Sequence, residues 1–179
     1  MRTVASIITM FVVFAGACCG ARSAVSGTKW PRESTGTLTE ADIAQFIKLA
    51  PTINAALRAS SWTTPPSKVD EGPDAWLVRF VDGLNVPGVD ESLKTAGSNW
   101  SAMRAVLYRV IPAAQAVFAD KVPPETIERM RKDTTAAGKQ ALKRFEENKA
   151  AYLLIPSASK ELASKHIQEL MTIRIMGRF

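Results

Sequence analysis

The chain has very few of the side chains that build metal sites, disulfides and catalytic relays. Among 179 residues there is one histidine, His166, and there are two cysteines, Cys18 and Cys19, which are adjacent near the N-terminus. The chain after Cys19 therefore has neither a disulfide framework nor a thiolate metal site. General acid–base catalysis often uses histidine, and a metal site usually needs several histidine, cysteine or carboxylate ligands. We therefore predict no catalytic residue, no metal and no cofactor. We interpret His166, which lies beside Ile167 and one turn beyond Leu162, as a partly buried structural side chain.

Common catalytic motifs are absent as well. The sequence contains no Gly-x-Ser-x-Gly elbow, no glycine-rich phosphate loop and no paired-histidine metal motif. Acidic residues do occur in pairs, but glycoside hydrolysis needs two carboxylates on opposite sides of a sugar, which sequence neighbours do not provide. The pairs are Asp70 with Glu71, Asp90 with Glu91, and Glu146 with Glu147. We interpret them as loop, cap and solvated positions, predict that the protein is not an enzyme, and keep an envelope glycan hydrolase as an alternative.

No stretch of useful length alternates between apolar and polar residues as a half-buried strand would. Residues 98–118 instead carry apolar side chains at the three-then-four spacing of one helix face, and adjacent pairs such as Val106 with Leu107 break any alternation. That face consists of Trp100, Met103, Val106, Leu107, Val110, Ile111, Ala114, Val117 and Phe118. A face this wide must be covered by other helices, so the pattern predicts an all-α fold with this helix at its centre.

Capping residues and prolines divide the rest of the domain into helices. Thr39 and Asp42 predict a capping box at the start of a first helix, and Pro51 predicts a kink or restart within it. Residues 60–72 read as a loop, Pro73 begins the next helix, and Asp90 caps a short helix around Leu93. Pro112 interrupts the central helix as Pro51 interrupts the first. A long helix then begins at Glu125 and runs until Pro156, and a last one begins at Ser157 or Ser159. We predict a single-domain bundle of about five to six helices over residues 38–179, several of them kinked by proline.

Charge gives only weak information about a partner. Lys and Arg number 23 against 17 Asp and Glu, a formal net charge of +6, which suits an anionic surface such as lipid or an envelope polymer. Basic residues concentrate between Arg129 and Arg144, but acids such as Glu128 and Glu146 alternate with them. We interpret this stretch as a solvated helix face and predict no nucleic-acid partner.

The N-terminus has the composition of an export signal. Arg2 precedes residues 4–17, which carry no charge and are strongly apolar. A stable transmembrane helix needs about 20 apolar residues, so this run is too short for a permanent span and matches the hydrophobic region of a signal peptide. We therefore predict a signal peptide over residues 1–17 and export from the cytoplasm.

Small residues lead directly to a cysteine at the end of this segment. In Ala15-Gly16-Ala17-Cys18 the sequence resembles the signal of bacterial lipoproteins, with Ala15 where that class usually carries leucine. The resemblance implies that Cys18 is lipidated and becomes the mature N-terminus. Cleavage by ordinary signal peptidase after Ala15-x-Ala17, and an uncleaved anchor, are the alternatives. Residues 18–37, rich in Gly, Ser and Thr, predict a flexible tether, in which Trp30 either docks on the domain or is exposed, or else touches the membrane interface.

These patterns together indicate an exported, lipid-anchored helical protein of the cell envelope or periplasm. We expect a binding or structural module without catalysis, whose partners are the membrane, through the lipid, and an envelope protein or anionic envelope surface. The alternative is a carrier of a small apolar ligand, held between helices by aromatic side chains. Those side chains are Phe46, Trp62, Trp76, Phe80, Trp100, Tyr108, Phe118, Phe145 and Tyr152.

Overall fold

The computed structural model describes residues 30–65, 68, 71–173 and 175, and the predicted signal peptide and Cys18 lie outside these ranges. The described chain forms eight α-helices and one short 3-10 helix and contains no β-strand, which confirms the all-α prediction. The 3-10 helix is Arg32–Thr35. The α-helices are α1 (Glu40–Ala59), α2 (Pro73–Gly83), α3 (Pro87–Thr95), α4 (Trp100–Asp120), α5 (Pro124–Lys132), α6 (Ala136–Tyr152), α7 (Ser157–Lys165) and α8 (Ile167–Thr172).

Helix α4 is the centre of the bundle, as its apolar face predicts. It packs against α1, α2, α3, α6, α7 and the 3-10 helix. Ten of its residues are buried apolar side chains between Met103 and Val117, including Tyr108 and Ala113, which lie outside the predicted face: Met103, Val106, Leu107, Tyr108, Val110, Ile111, Ala113, Ala114, Ala116 and Val117. Burial on nearly every side explains why truncating a leucine such as Leu107 would cost about 2–5 kcal/mol.

The start of α1 has the predicted capping box. The Thr39 side chain accepts a hydrogen bond from the Asp42 backbone N–H (3.2 Å), and the Asp42 carboxylate accepts one from the Thr39 N–H (3.0 Å). Two backbone donors at the helix N-terminus are thereby satisfied. Pro51 in α1 and Pro112 in α4 both lie inside continuous helices, so neither proline restarts its helix.

The prediction of one long helix from Glu125 to Pro156 is wrong, because the helix is interrupted between α5 and α6. Asp133 accepts hydrogen bonds from the Thr135 N–H (3.0 Å) and hydroxyl (2.6 Å), and the Thr135 hydroxyl in turn accepts one from the Gly138 N–H (3.0 Å). These local bonds offer the backbone an alternative to the helix and cap a new one. The carboxylate also lies over the first turn of α6, where a β-carbon on Gly138 would lie 2.1 Å from the Asp133 Cγ.

The last helix is also divided, at His166, which separates α7 from α8. These two breaks explain why eight helices form where five to six were expected.

Asp90 does not cap α3. That helix begins at Pro87, and Asp90 in its first turn accepts a hydrogen bond from the Trp100 N–H (3.1 Å) at the start of α4. Pro87 is suited to a first helical position because its missing N–H costs nothing there. Asp90 therefore joins two helices, and the ammonium of Lys94, with the Trp100 N–H, lowers its pKa.

The end of the predicted tether is packed on the bundle. Trp30, Ser34 and Leu38 are buried, and the Leu38 N–H donates to the Ser159 hydroxyl (2.9 Å). The described part of the predicted tether, from Trp30 onward, is therefore packed: the 3-10 helix contacts α4, and the adjoining Leu38 is bonded to α7.

Candidate functional site

His166 joins the first helix to the last two. Its Nε2 lies 2.9 Å from a Glu40 carboxylate oxygen and its Nδ1 lies 3.3 Å from a Glu169 oxygen. The side chain is partly buried. Among the described residues, no group of three or more histidine, cysteine, aspartate or glutamate side chains is placed to hold a metal ion. These contacts join the α7–α8 junction to the N-terminus of α1.

The described members of the predicted acidic pairs are mostly engaged by cations. Glu71 accepts a hydrogen bond from the Arg79 Nε (2.8 Å), and Glu147 lies 3.6 Å from the Lys143 Nζ. Burial alone would raise the pKa of Glu71, but the hydrogen bonds from Arg79 and from the Lys68 N–H outweigh it and lower that pKa. A carboxylate held ionised by an arginine is poorly suited to act as a general acid. Asp70 lies outside the described residues.

One of the two most buried ion pairs among the described residues joins α1 to α4, and the other is Arg79 with Glu71. The Arg109 guanidinium donates to both Asp42 carboxylate oxygens, from Nη2 (2.6 Å) and from Nε (3.0 Å). Burial raises the pKa of Asp42, but hydrogen bonds from Arg109 and Thr39 outweigh it and hold the pKa below its ordinary value. Sequence reasoning missed this pair. The available signal was Arg109 itself, a charge inside the otherwise apolar run from Val106 to Ile111.

A second polar cluster lies one turn earlier on α4. The Arg104 Nε donates to Asp82 (3.0 Å), its Nη2 donates to the Tyr108 hydroxyl (3.1 Å), and its guanidinium lies 4.7 Å from the Tyr108 ring centroid. Burial, with the nearby Asp82 carboxylate, raises the pKa of Tyr108. Both arginines therefore direct donors to groups within the domain, so this face of α4 reads as structural.

Three of the nine aromatic side chains expected to line a ligand pocket, Trp62, Trp76 and Phe80, pack on one another. The Trp76 and Phe80 rings stack with centroids 4.9 Å apart, Trp62 meets Phe80 edge-on, and the Trp62 indole N–H donates to the Gly83 carbonyl (2.6 Å). The Trp76 Nε1 is buried and has no hydrogen-bond partner among the described residues. A hollow of about 480 Å³ lies elsewhere, open to solvent between α1 and α3, and is lined by small residues such as Ala56 and Gly88.

The basic stretch of α5 and α6 is a solvated surface. No residue of α5 is buried, and its main contact is with α6. Arg131 pairs with Glu128 (2.9 Å), and the Arg144 Nη2 donates to the Lys68 carbonyl (3.2 Å). Alternating charges that pair along the surface match the predicted solvated face.

Trp30 fixes the point where the N-terminal segment joins the domain. Its indole N–H donates to the Ala151 carbonyl (3.0 Å), and its ring stacks on Tyr152 with centroids 5.9 Å apart. Immediately after Tyr152, the chain exposes Leu153 and Leu154, which are 72% and 56% exposed. Trp30 therefore contacts the chain directly before the two most exposed large apolar side chains among the described residues.

No known family, no curated protein and no solved structure matches the chain. In the part of the chain that the structure describes, no helix has the length and apolar character needed to cross a bilayer.

Proposed function

We propose that the protein is exported and anchored to a membrane by a lipid on Cys18, and that its helical domain acts there as a binding or structural module without catalysis. The observation that carries the proposal is the leader: an uncharged apolar stretch over residues 4–17, ending in small residues directly before Cys18. A single acyl chain binds membranes only marginally, whereas the several chains implied by the lipoprotein resemblance would hold firmly.

The position of Trp30 supports this arrangement. Eleven residues lie between Cys18 and Trp30, and the twelve residue-to-residue steps from one to the other span at most ~40 Å when fully extended. The contacts of Trp30 with Ala151 and Tyr152 hold the start of the domain at one place on its surface. A lipid on Cys18 would therefore keep that side of the bundle close to the bilayer.

The engagement of the polar side chains supports the absence of catalysis. Asp42, Glu71 and Asp82 each accept hydrogen bonds from an arginine, and His166 contacts two carboxylates. A catalytic group must instead present a reactive atom to a substrate. These contacts give no support to the alternative of an envelope glycan hydrolase.

Metabolic labelling tests the anchor. Cells expressing the full chain are fed a clickable palmitate analogue, and label is measured on the purified protein. We expect label on the wild type and on the matched control Cys19→Ser, and none on Cys18→Ser. An unlabelled wild type, or label that persists on Cys18→Ser, would contradict the proposal.

A carrier of a small apolar ligand is the second candidate, because the buried Trp76 Nε1 lacks a hydrogen-bond partner among the described residues. Such a donor among aromatic rings could orient a ligand with one polar atom. Native mass spectrometry of the purified protein tests this candidate. A co-purifying ligand that is lost in Trp76→Phe would favour the carrier, and a ligand-free spectrum would count against it.

A further inference from the structure

The turn between α6 and α7 has a composition unlike the surface around it. Residues 150–159 carry no charge, and the stretch is bracketed by Lys149 and Lys160. At its centre Leu153 and Leu154 project from the end of α6, while Ile155 beside them is buried and holds the turn to the core. An exposed apolar tip between two lysines is the pattern of a segment that enters the interface of an anionic membrane.

The apolar tip, Leu153 and Leu154, lies close to the point where the N-terminal chain enters the domain, and an anchor on that chain would bring it to a bilayer. Trp30 contacts Ala151 and Tyr152, which directly precede the two leucines. Arg32, two residues after Trp30, is exposed. The chain before Trp30 leads within twelve residues to Cys18. A lipid on Cys18 would hold the tip within ~40 Å of the membrane at full extension and nearer otherwise.

We propose that Leu153 and Leu154 insert into the interfacial region of the bilayer that carries the anchor, with Lys149 and Lys160 facing its anionic headgroups. This inference rests on the proposed function, because the anchor supplies the proximity. A second copy of the chain fits this tip poorly, since two exposed leucines offer far less than the ~800 Å² per partner of a stable protein interface. Each lysine near an anionic surface adds to the attraction.

Photocross-linking of the full chain in cells tests the insertion. Leu154 is replaced by p-benzoylphenylalanine, phospholipids are labelled with radioactive phosphate, and label on the protein band is measured after irradiation. The matched control carries the same residue at Glu91, an exposed position on α3, a helix that packs on α1 and α4. We expect about tenfold more lipid label at position 154 than at 91, and a loss of about tenfold when Lys149→Glu and Lys160→Glu are added.

The outcomes separate this inference from the anchor. Palmitate label on the protein with equal lipid cross-linking at positions 154 and 91 would overturn the insertion and leave the anchor standing. Cross-linking at position 154 to a protein instead of lipid would also overturn it. If palmitate label is absent, the proposed anchor is wrong. In that case, more lipid cross-linking at position 154 than at position 91 would still support the insertion, and equal cross-linking at the two positions would refute it.

Discussion

Replacing Asp42 by alanine removes the acceptor of a largely buried ion pair and half of the α1 capping box. The Asp42 side chain is 9% exposed and that of Arg109 is 23% exposed. Without Asp42, the guanidinium keeps its charge in a mostly buried place and loses both of its carboxylate bonds. Breaking one partner of a buried pair typically costs 3–5 kcal/mol. Since Arg109 retains some contact with water, we expect about 3 kcal/mol for Asp42→Ala.

Arg109→Met should cost less, about 2 kcal/mol, because Asp42 keeps its two hydrogen bonds from Thr39. In the double variant Asp42→Ala/Arg109→Met, neither charge is left buried. The loss of unfolding free energy in the double variant should therefore be smaller than the sum of the two single losses, by at least ~1.5 kcal/mol. Urea unfolding of the full chain at pH 7, followed by far-ultraviolet circular dichroism, measures all three values.

The control uses an exposed arginine–carboxylate pair on the surface, joined by a single hydrogen bond within one helix. Arg131 and Glu128 lie 2.9 Å apart with side chains 57% and 54% exposed, so Arg131→Met should cost less than ~0.5 kcal/mol. If Asp42→Ala costs no more than this control, or if the two single losses simply add, the role assigned to the buried pair is refuted.

Three further predictions follow from particular contacts. The pKa of Asp42 is held below its ordinary value of 3.8, so its contribution to stability is complete above pH 3.8 and is lost as the pH falls through the lower folded pKa. Asp42→Asn should therefore weaken the pH dependence of urea unfolding below about pH 4. Gly138→Ala, which favours most helices by about 0.5–1 kcal/mol, should instead destabilise α6 through its clash with Asp133, and added Asp133→Ala should restore part of the loss in thermal unfolding. Trp30→Phe loses the bond to Ala151 and should lower stability by about 1 kcal/mol while increasing hydrogen exchange at Leu38, and unchanged exchange there would contradict the packing described.

Contacts between sequence neighbours could be predicted from the sequence. Thr39 and Asp42 are three residues apart, so their capping box is a local pattern. The Asp133–Thr135 break is equally local, but apolar residues continue through Ile127, Met130 and Ala137, and that periodicity hid it. At such places the helical spacing of apolar residues favours one continuous helix, while side-chain hydrogen bonds to the backbone favour a break. Here the hydrogen bonds of Asp133 end one helix before the next begins.

Contacts between distant residues could not be predicted. Arg109 lies 67 residues from Asp42, and Trp30 lies 121 residues from Ala151, so no spacing in the sequence indicates either bond. Leu153 and Leu154 lie in the stretch that the sequence predicts as helix up to Pro156, because a sequence does not say which apolar residues a turn leaves exposed. The proposed membrane contact depends on these distant contacts.

Mass spectrometry of the N-terminal peptide, prepared from protein isolated with membranes, tests the central claim most directly. The account predicts a peptide that begins at Cys18 and carries fatty acyl groups. A peptide that begins at Met1, or one that begins at Cys18 without any acyl group, would contradict it.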